Sequence, residues 1–332
     1  MRFVVPIALA CAGALAAAPA PKPGPPRTLV VASKSSGNWE IYLVQPGTGE
    51  TKQLTNDKKF NHTEPVWSPD GKRIAYISDR VGGQDIFMMN ADGSEPAQFY
   101  TSKDGCTNLR WSPDGSRIAF AGVKTNQVHV VGVPSAAPAM LTNGATGNRQ
   151  PAWSPDGKRL SYTSYAGRYS TYTMAADGGG KKRLSDENGG VDAVWSPDGK
   201  SLAFVAMNFA DGGWRVHTIG ADGKNQKQLT TKANTHGNVY PQWSPDGTRI
   251  AFGELIDGVP QIATMRADGT DMKVVTSKHS HQLCRWSPDG KSLSYSRYEQ
   301  GKGVALWVSD ADGGNAKELM RDIGGIPEWK PK

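Results

Sequence analysis

One five-residue phrase, Trp-Ser-Pro-Asp-Gly, occurs six times in this chain, beginning at Trp67, Trp111, Trp153, Trp195, Trp243 and Trp286. A degraded copy, Trp329-Lys330-Pro331, closes the C-terminus. Successive copies lie 42 to 48 residues apart. A nearly fixed period of that length marks stacked or radial repeats, here with four strands per unit.

Each unit reads alike. A short apolar-rich approach, such as Pro65-Val66-Trp67, runs into Ser-Pro-Asp-Gly. That tetrapeptide is a reverse turn: Pro presets φ, Asp suits the third position and Gly the fourth. A strand with an apolar–small–aromatic core follows, as in Ile74-Ala75-Tyr76, Ile118-Ala119-Phe120 and Ile250-Ala251-Phe252. After a variable loop comes a third strand, such as Asp85-Ile86-Phe87-Met88, ending in an Ala-Asp-Gly turn (Ala91-Asp92-Gly93, Ala221-Asp222-Gly223, Ala267-Asp268-Gly269). Asp-Gly between apolar runs is a strong hairpin signal. A short fourth strand completes the unit.

Four antiparallel strands per repeat predict a propeller blade. Residues Thr28 to Thr55 supply the second, third and fourth strands of a blade with no Trp-Ser-Pro-Asp-Gly before them. The missing first strand is Ile326-Pro327-Glu328-Trp329, at the other end of the chain. The prediction is therefore an all-β, seven-bladed β-propeller over residues 28–332, its ring closed by pairing the terminal strands in one blade. Closure removes sheet edges that invite aggregation. The repeated Trp is expected to pack between blades.

The stretch Trp67-Ser68-Pro69-Asp70-Gly71-Lys72-Arg73-Ile74-Ala75-Tyr76 resembles the TolB-type propeller repeat, also met in prolyl-oligopeptidase-like and tricorn-type peptidases. The resemblance spans about residues 28–332 and implies the propeller fold. Two departures from TolB itself stand out: TolB carries an α/β domain before its propeller, and it has six blades rather than seven.

Composition fits many short strands and turns, with 39 Gly and 22 Pro. The net charge of +7 is spread over repeat positions such as Lys72-Arg73 and Lys158-Arg159, which reads as a solvated face and argues against nucleic acid as a partner. Residues 1–20 read as a secretory signal: Arg2, an apolar run from Phe3 to Ala17, then small residues. Residues 21–27 read as a Pro-rich linker. The mature chain is expected to be periplasmic or secreted, monomeric and without a transmembrane segment; lipidation at Cys11 is the less favoured alternative. Cys106 and Cys284 fall in non-neighbouring blades, so no disulfide between them is expected.

One propeller face carries the uniform Ser-Pro-Asp-Gly and Ala-Asp-Gly turns. The opposite face carries loops that differ in every blade, the usual place for recognition. Tyr165, Arg168, Tyr169, Phe209, Arg297 and Tyr298 on those loops are candidate ligand contacts. Aligning blades on Trp adds two rings. Seven residues before Trp stand Phe60, Asp104, Thr146, Asn188, His236, His279 and Asp322. Five before stand His62, Cys106, Asn148, Gly190, Asn238, His281 and Gly324. These positions are expected at the channel mouth, which adds His62, Asn148 and Asn238 to the ligand candidates. It also makes His236, His279 and His281 a candidate set for a divalent transition metal. Oligogalacturonate lyases are similar: seven-bladed propellers of this repeat type whose histidine-held metal includes a His-X-His pair, matched here by His279-Ser280-His281. The family's glutamine ligand before that pair has no counterpart, since Thr276 and Ser277 stand there.

No Gly-X-Ser-X-Gly elbow and no phosphate-binding Gly loop occur. Asp310-Ala311-Asp312-Gly313 lacks a calcium-loop frame. The leading expectation is a non-catalytic module that binds a protein or peptide at the cell envelope. The alternatives are a metal-dependent carbohydrate-active enzyme and a glycan or small-ligand binder.

Overall fold

The computed structural model describes residues 27–134, 138–144, 146–209, 212–231, 239–277 and 280–332. The leader and nearly all of the Pro-rich segment lie outside them, as do His236, Asn238 and His279. Every regular element among the described residues is a strand, and the strands form seven antiparallel sheets of four. None of them is a helix long and apolar enough to cross a membrane.

Blades one to six are led by inner strands His62–Trp67, Cys106–Trp111, Gly147–Trp153, Val191–Trp195, Val239–Trp243 and Ser280–Trp286. Blade seven is shared as the sequence predicts. Ile323–Trp329 pairs with Leu29–Ser33, and Leu29 stands opposite Trp329. Each inner strand touches the next, and that of blade seven touches that of blade one, so the ring closes.

The repeated phrase does three jobs. First, it locks its own turn. Ser68 Oγ donates to Asp70 Oδ1 at 2.6 Å and accepts from Arg73 N at 2.9 Å, while Gly71 takes φ of +63°, which glycine adopts without penalty. The same Ser-to-Asp bond recurs at Ser154, Ser196, Ser244 and Ser287, each 2.6 Å. In the second copy, bonds from Ser112 and Ser116 hold the Asp114 carboxyl down to about 2. Second, the Trp fills the space between blades; six of the seven are buried, at 6–9 % exposure. Each removes roughly 150–250 Å² from water, worth about 4–6 kcal/mol before entropy is counted. Third, the indole N–H stitches neighbours together. Trp153 donates to Arg110 O at 3.0 Å, Trp195 to Ala152 O at 3.1 Å and Trp286 to Gln242 O at 3.1 Å.

One regular irregularity was not legible from residue spacing. In each of blades one to six the inner strand carries a β-bulge just before the Trp. In blade one Thr63 pairs with Ile77 and Val66 with Ala75, so two residues oppose one. The third residue before each Trp takes a left-handed φ although none is glycine: Glu64, Asn108, Gln150, Asp192, Tyr240 and Leu283, at 49–57°. The bulge resets which side each residue faces.

Candidate functional site

The bulge corrects the expected mouth ring. Strict alternation back from a buried Trp would put the fifth residue before it toward the channel. With one residue inserted, that position faces the interior. His62 is 0 % exposed, Cys106 1 %, Asn148 3 % and His281 3 %. His62 and Asn148 are thus not wet ligand contacts but parts of a seam between blades.

The seam has a repeated plan. The backbone N–H of this position donates to the preceding blade: His62 to Trp39 O at 2.7 Å, Cys106 to Gln84 O at 2.8 Å, Asn148 to Asn126 O at 2.6 Å and Gly190 to Tyr169 O at 3.0 Å. Its side chain meets the residue after that carbonyl. Asn148 Nδ2 donates to Gln127 Oε1 at 2.9 Å. His62 Nε2 lies 3.9 Å from Glu40 Oε2, with the ring edge-on to Tyr76. Burial lowers the His62 pKa, partly offset by the Glu40 charge. His281 lies edge-on to Tyr295. Among the described residues no three His, Cys, Asp or Glu side chains are grouped to hold a metal ion. His236 and His279, the other members of the proposed set, are outside those residues. Cys106 and Cys284 are free thiols pushed up to about 12 by burial.

The bulged position lines the ring of inner strands instead, and sequence reasoning passed over it. Glu64 reaches blade two, accepting from Thr107 Oγ1 and from Asn108 N, both at 2.6 Å. Gln150 Nε2 donates to Asp192 Oδ1 at 2.6 Å, and Asp192 in turn accepts from the N–H of Tyr240. Burial raises the Asp192 carboxyl above its ordinary range. Burial pushes the Arg285 guanidinium down, and it senses Glu328, Arg110 and Asp192 from three other blades. These side chains therefore converge on one axis. The signal available in the sequence was a polar residue three before Trp in five of six copies (Glu64, Asn108, Gln150, Asp192, Tyr240), each followed by a buried Pro, Leu or Ala.

On the variable face the structure brings together four of the six loop candidates. Tyr165 and Tyr169, 46 % and 44 % exposed, flank one hairpin tip of blade three with ring centroids 4.7 Å apart. Arg168, between them in sequence, lies 4.8 Å from the ring of Phe209, which is 55 % exposed at the tip of blade four. Its guanidinium also donates to Glu187 O. A cleft of about 190 Å³ opens beside Arg168, walled by Ser164, Tyr172, Arg183 and Glu187. Tyr298 is exposed on blade six. Arg297 is committed internally, 4.2 Å over Trp307 and paired with Glu299 at 2.6 Å.

A family model described as the TolB beta propeller domain matches residues 8–191, 99–230 and 151–331. The Tol-Pal system protein TolB of Bordetella pertussis is 36 % identical over 56 residues, 17 % of this chain and 13 % of that protein. The curated relatives it matches are thus covered over only about a tenth of their length, 10–13 %. Among solved structures, TolB from Acinetobacter baumannii superposes with a TM-score of 0.58 at 19 % identity, covering 92 % of this chain and 82 % of that one. Oligogalacturonate lyase from Vibrio parahaemolyticus superposes with a TM-score of 0.70 at 13 % identity, covering 85 % and 86 %. At such identities these likenesses speak to the fold alone.

Proposed function

This chain belongs to the TolB beta-propeller domain family, and on that footing we propose that it is a periplasmic or secreted binding module. It docks a protein or peptide of the cell envelope on the variable face of blades three and four. The observation that carries this reading is the aromatic–arginine patch. Tyr165, Tyr169 and Phe209 are large, exposed and fixed by one another or by Arg168. Tyr and Arg are the side chains most enriched among residues that dominate binding energy, and rigid rings lose little entropy on contact. Single exposed apolar residues are ordinary; a cluster across two blades beside a cleft is a recognition surface.

The test is capture from an envelope extract followed by calorimetry with the captured protein. Arg168→Ala combined with Phe209→Ser should abolish retention while leaving the melting temperature unchanged. Retention equal to wild type would place the contact elsewhere on the ring.

A further inference from the structure

The opposite, turn-bearing face holds a site that arises where the repeat breaks its own rule. Four blades place an arginine at the start of the second strand: Arg73, Arg117, Arg159 and Arg249. The first three lie over the Trp of the next blade, 5.5 Å from Trp111, 4.6 Å from Trp153 and 5.2 Å from Trp195. At the closing interface Lys330 takes the same place, 5.3 Å over Trp67. Arg249 does not cover Trp286. Its guanidinium turns back onto its own blade, to Asp271 Oδ2 at 2.8 Å, Asp271 O at 3.0 Å and Thr264 Oγ1 at 3.2 Å.

A second cation is withheld at the same interface. Outer-strand lysines elsewhere cross to the next blade's Ala-Asp-Gly turn: Lys52 to Asp92 O at 2.8 Å, Lys182 to Asp222 O at 2.5 Å and Lys227 to Asp268 O at 2.7 Å. Lys273, at the equivalent place, pairs with Asp271 at 3.4 Å. One carboxylate thus holds back both cations that would bridge blades five and six. A cleft of about 490 Å³ opens there, with Trp286, Ala311 and Asp312 on its wall. Asp246 and Asp289 add further carboxylates, Asp289 already paired with Arg27, and Lys332 adds a cation to the wall. At the interface of blades three and four, the carbonyl equivalent to that of Ala311 is filled: Arg159 Nη1 donates to Ala221 O at 2.7 Å.

We propose that this cleft binds the cationic side chain of a partner polypeptide, an arginine or lysine laid over the Trp286 indole in the place Arg249 vacates. Four other interfaces, at Trp67, Trp111, Trp153 and Trp195, show the fit, because each is this site occupied by the chain's own cation. The attraction is that of a cation to an aromatic face, strengthened by the surrounding carboxylates.

The test is a titration of the purified protein, labelled with 5-fluorotryptophan, with N-acetyl-arginine methylamide, its lysine analogue and the neutral citrulline analogue. The Trp286 resonance is assigned through Trp286→Phe. A saturable shift of that resonance is expected, about fivefold weaker for citrulline than for the better cation. The stronger of the two cations names the side chain. Asp271→Asn should free Arg249 and Lys273 to close the cleft, and so weaken probe binding by about fivefold or more. No shift at Trp286 up to the probes' solubility, equal binding of citrulline, or unchanged binding in Asp271→Asn would each overturn the proposal.

Discussion

Replacing Asn148 with Ala separates a seam residue from a ligand contact. Asn148 Nδ2 donates to Gln127 Oε1 at 2.9 Å and to Thr146 O at 3.0 Å, and the side chain is 3 % exposed. Gln127 Oε1 keeps its bond from Thr142 Oγ1 at 2.8 Å, so it is not orphaned entirely. Losing a buried amide bond costs about 1–3 kcal/mol, and the carboxamide leaves a small void that adds a little more. We expect a loss of about 2–3 kcal/mol. With an unfolding entropy near 2.1 cal/mol/K per residue, a ring of about 300 residues should melt about 3–5 °C lower. The assay is calorimetric melting of wild type, Asn148→Ala, Gln127→Ala and the double variant. A seam requires a coupling energy near about 1 kcal/mol between the two sites. If Asn148→Ala melted within about 1 °C of wild type and the coupling vanished, the seam would be wrong and an exposed mouth position would have to be reconsidered.

Acid should weaken the ring. Burial lowers the pKa of His62, His129 and His217 in the folded state. The unfolded chain then takes up protons first, so their contribution is complete above 6.5 and is lost as pH falls from there through the folded values. The urea midpoint should be lower at about pH 5.5 than at about pH 7.5, and His62→Gln should shrink that difference. Trp153→Phe removes the bond to Arg110 O at 3.0 Å as well as packing, and should cost about 2–4 kcal/mol in urea titration. Zinc or manganese added to the purified protein should leave the melting temperature unchanged, since His281 is turned into the core against Tyr295. A rise that is abolished by His279→Ala would restore the histidine set as a metal site.

The architecture was legible because the repeat encodes it redundantly. Each Trp-Ser-Pro-Asp-Gly fixes a turn and a blade interface, four of the six also stitch to the neighbouring blade, and the orphan strands at the two ends leave one way to close the ring. The loop candidates were half legible: composition singled out Tyr165, Arg168, Tyr169 and Phe209, and their contacts across blades three and four are tertiary facts. His62 and His281 lie buried rather than at the mouth for a specific reason. Placing the aligned positions on the channel side assumes an unbroken strand back from the Trp. The left-handed residue at the third position before it, occupied by Glu64, Asn108 and their equivalents, interrupts that strand. Glycine would have announced such a backbone; Glu, Gln and Leu do not.

Departures between equivalent positions fall into two kinds, and the difference tells structure from function. In the seam the residues change together: Glu40 faces His62, and Gln127 faces Asn148. Each departure is answered by its partner, so the interface is kept while the chemistry varies. At Trp286 the departure is not answered. Asp271 takes Arg249 and Lys273 out of the bridge, and a cleft stays open beside the indole. An interface that gives up its bridging cations keeps an open cleft although Trp286 stays only 8 % exposed, and stability alone does not reward withdrawing them. Restoring the bridge with Asp271→Asn should therefore raise the melting temperature while it weakens cation binding. A variant that lost both would show Asp271 to be an ordinary stabilising ion pair and the cleft to be incidental.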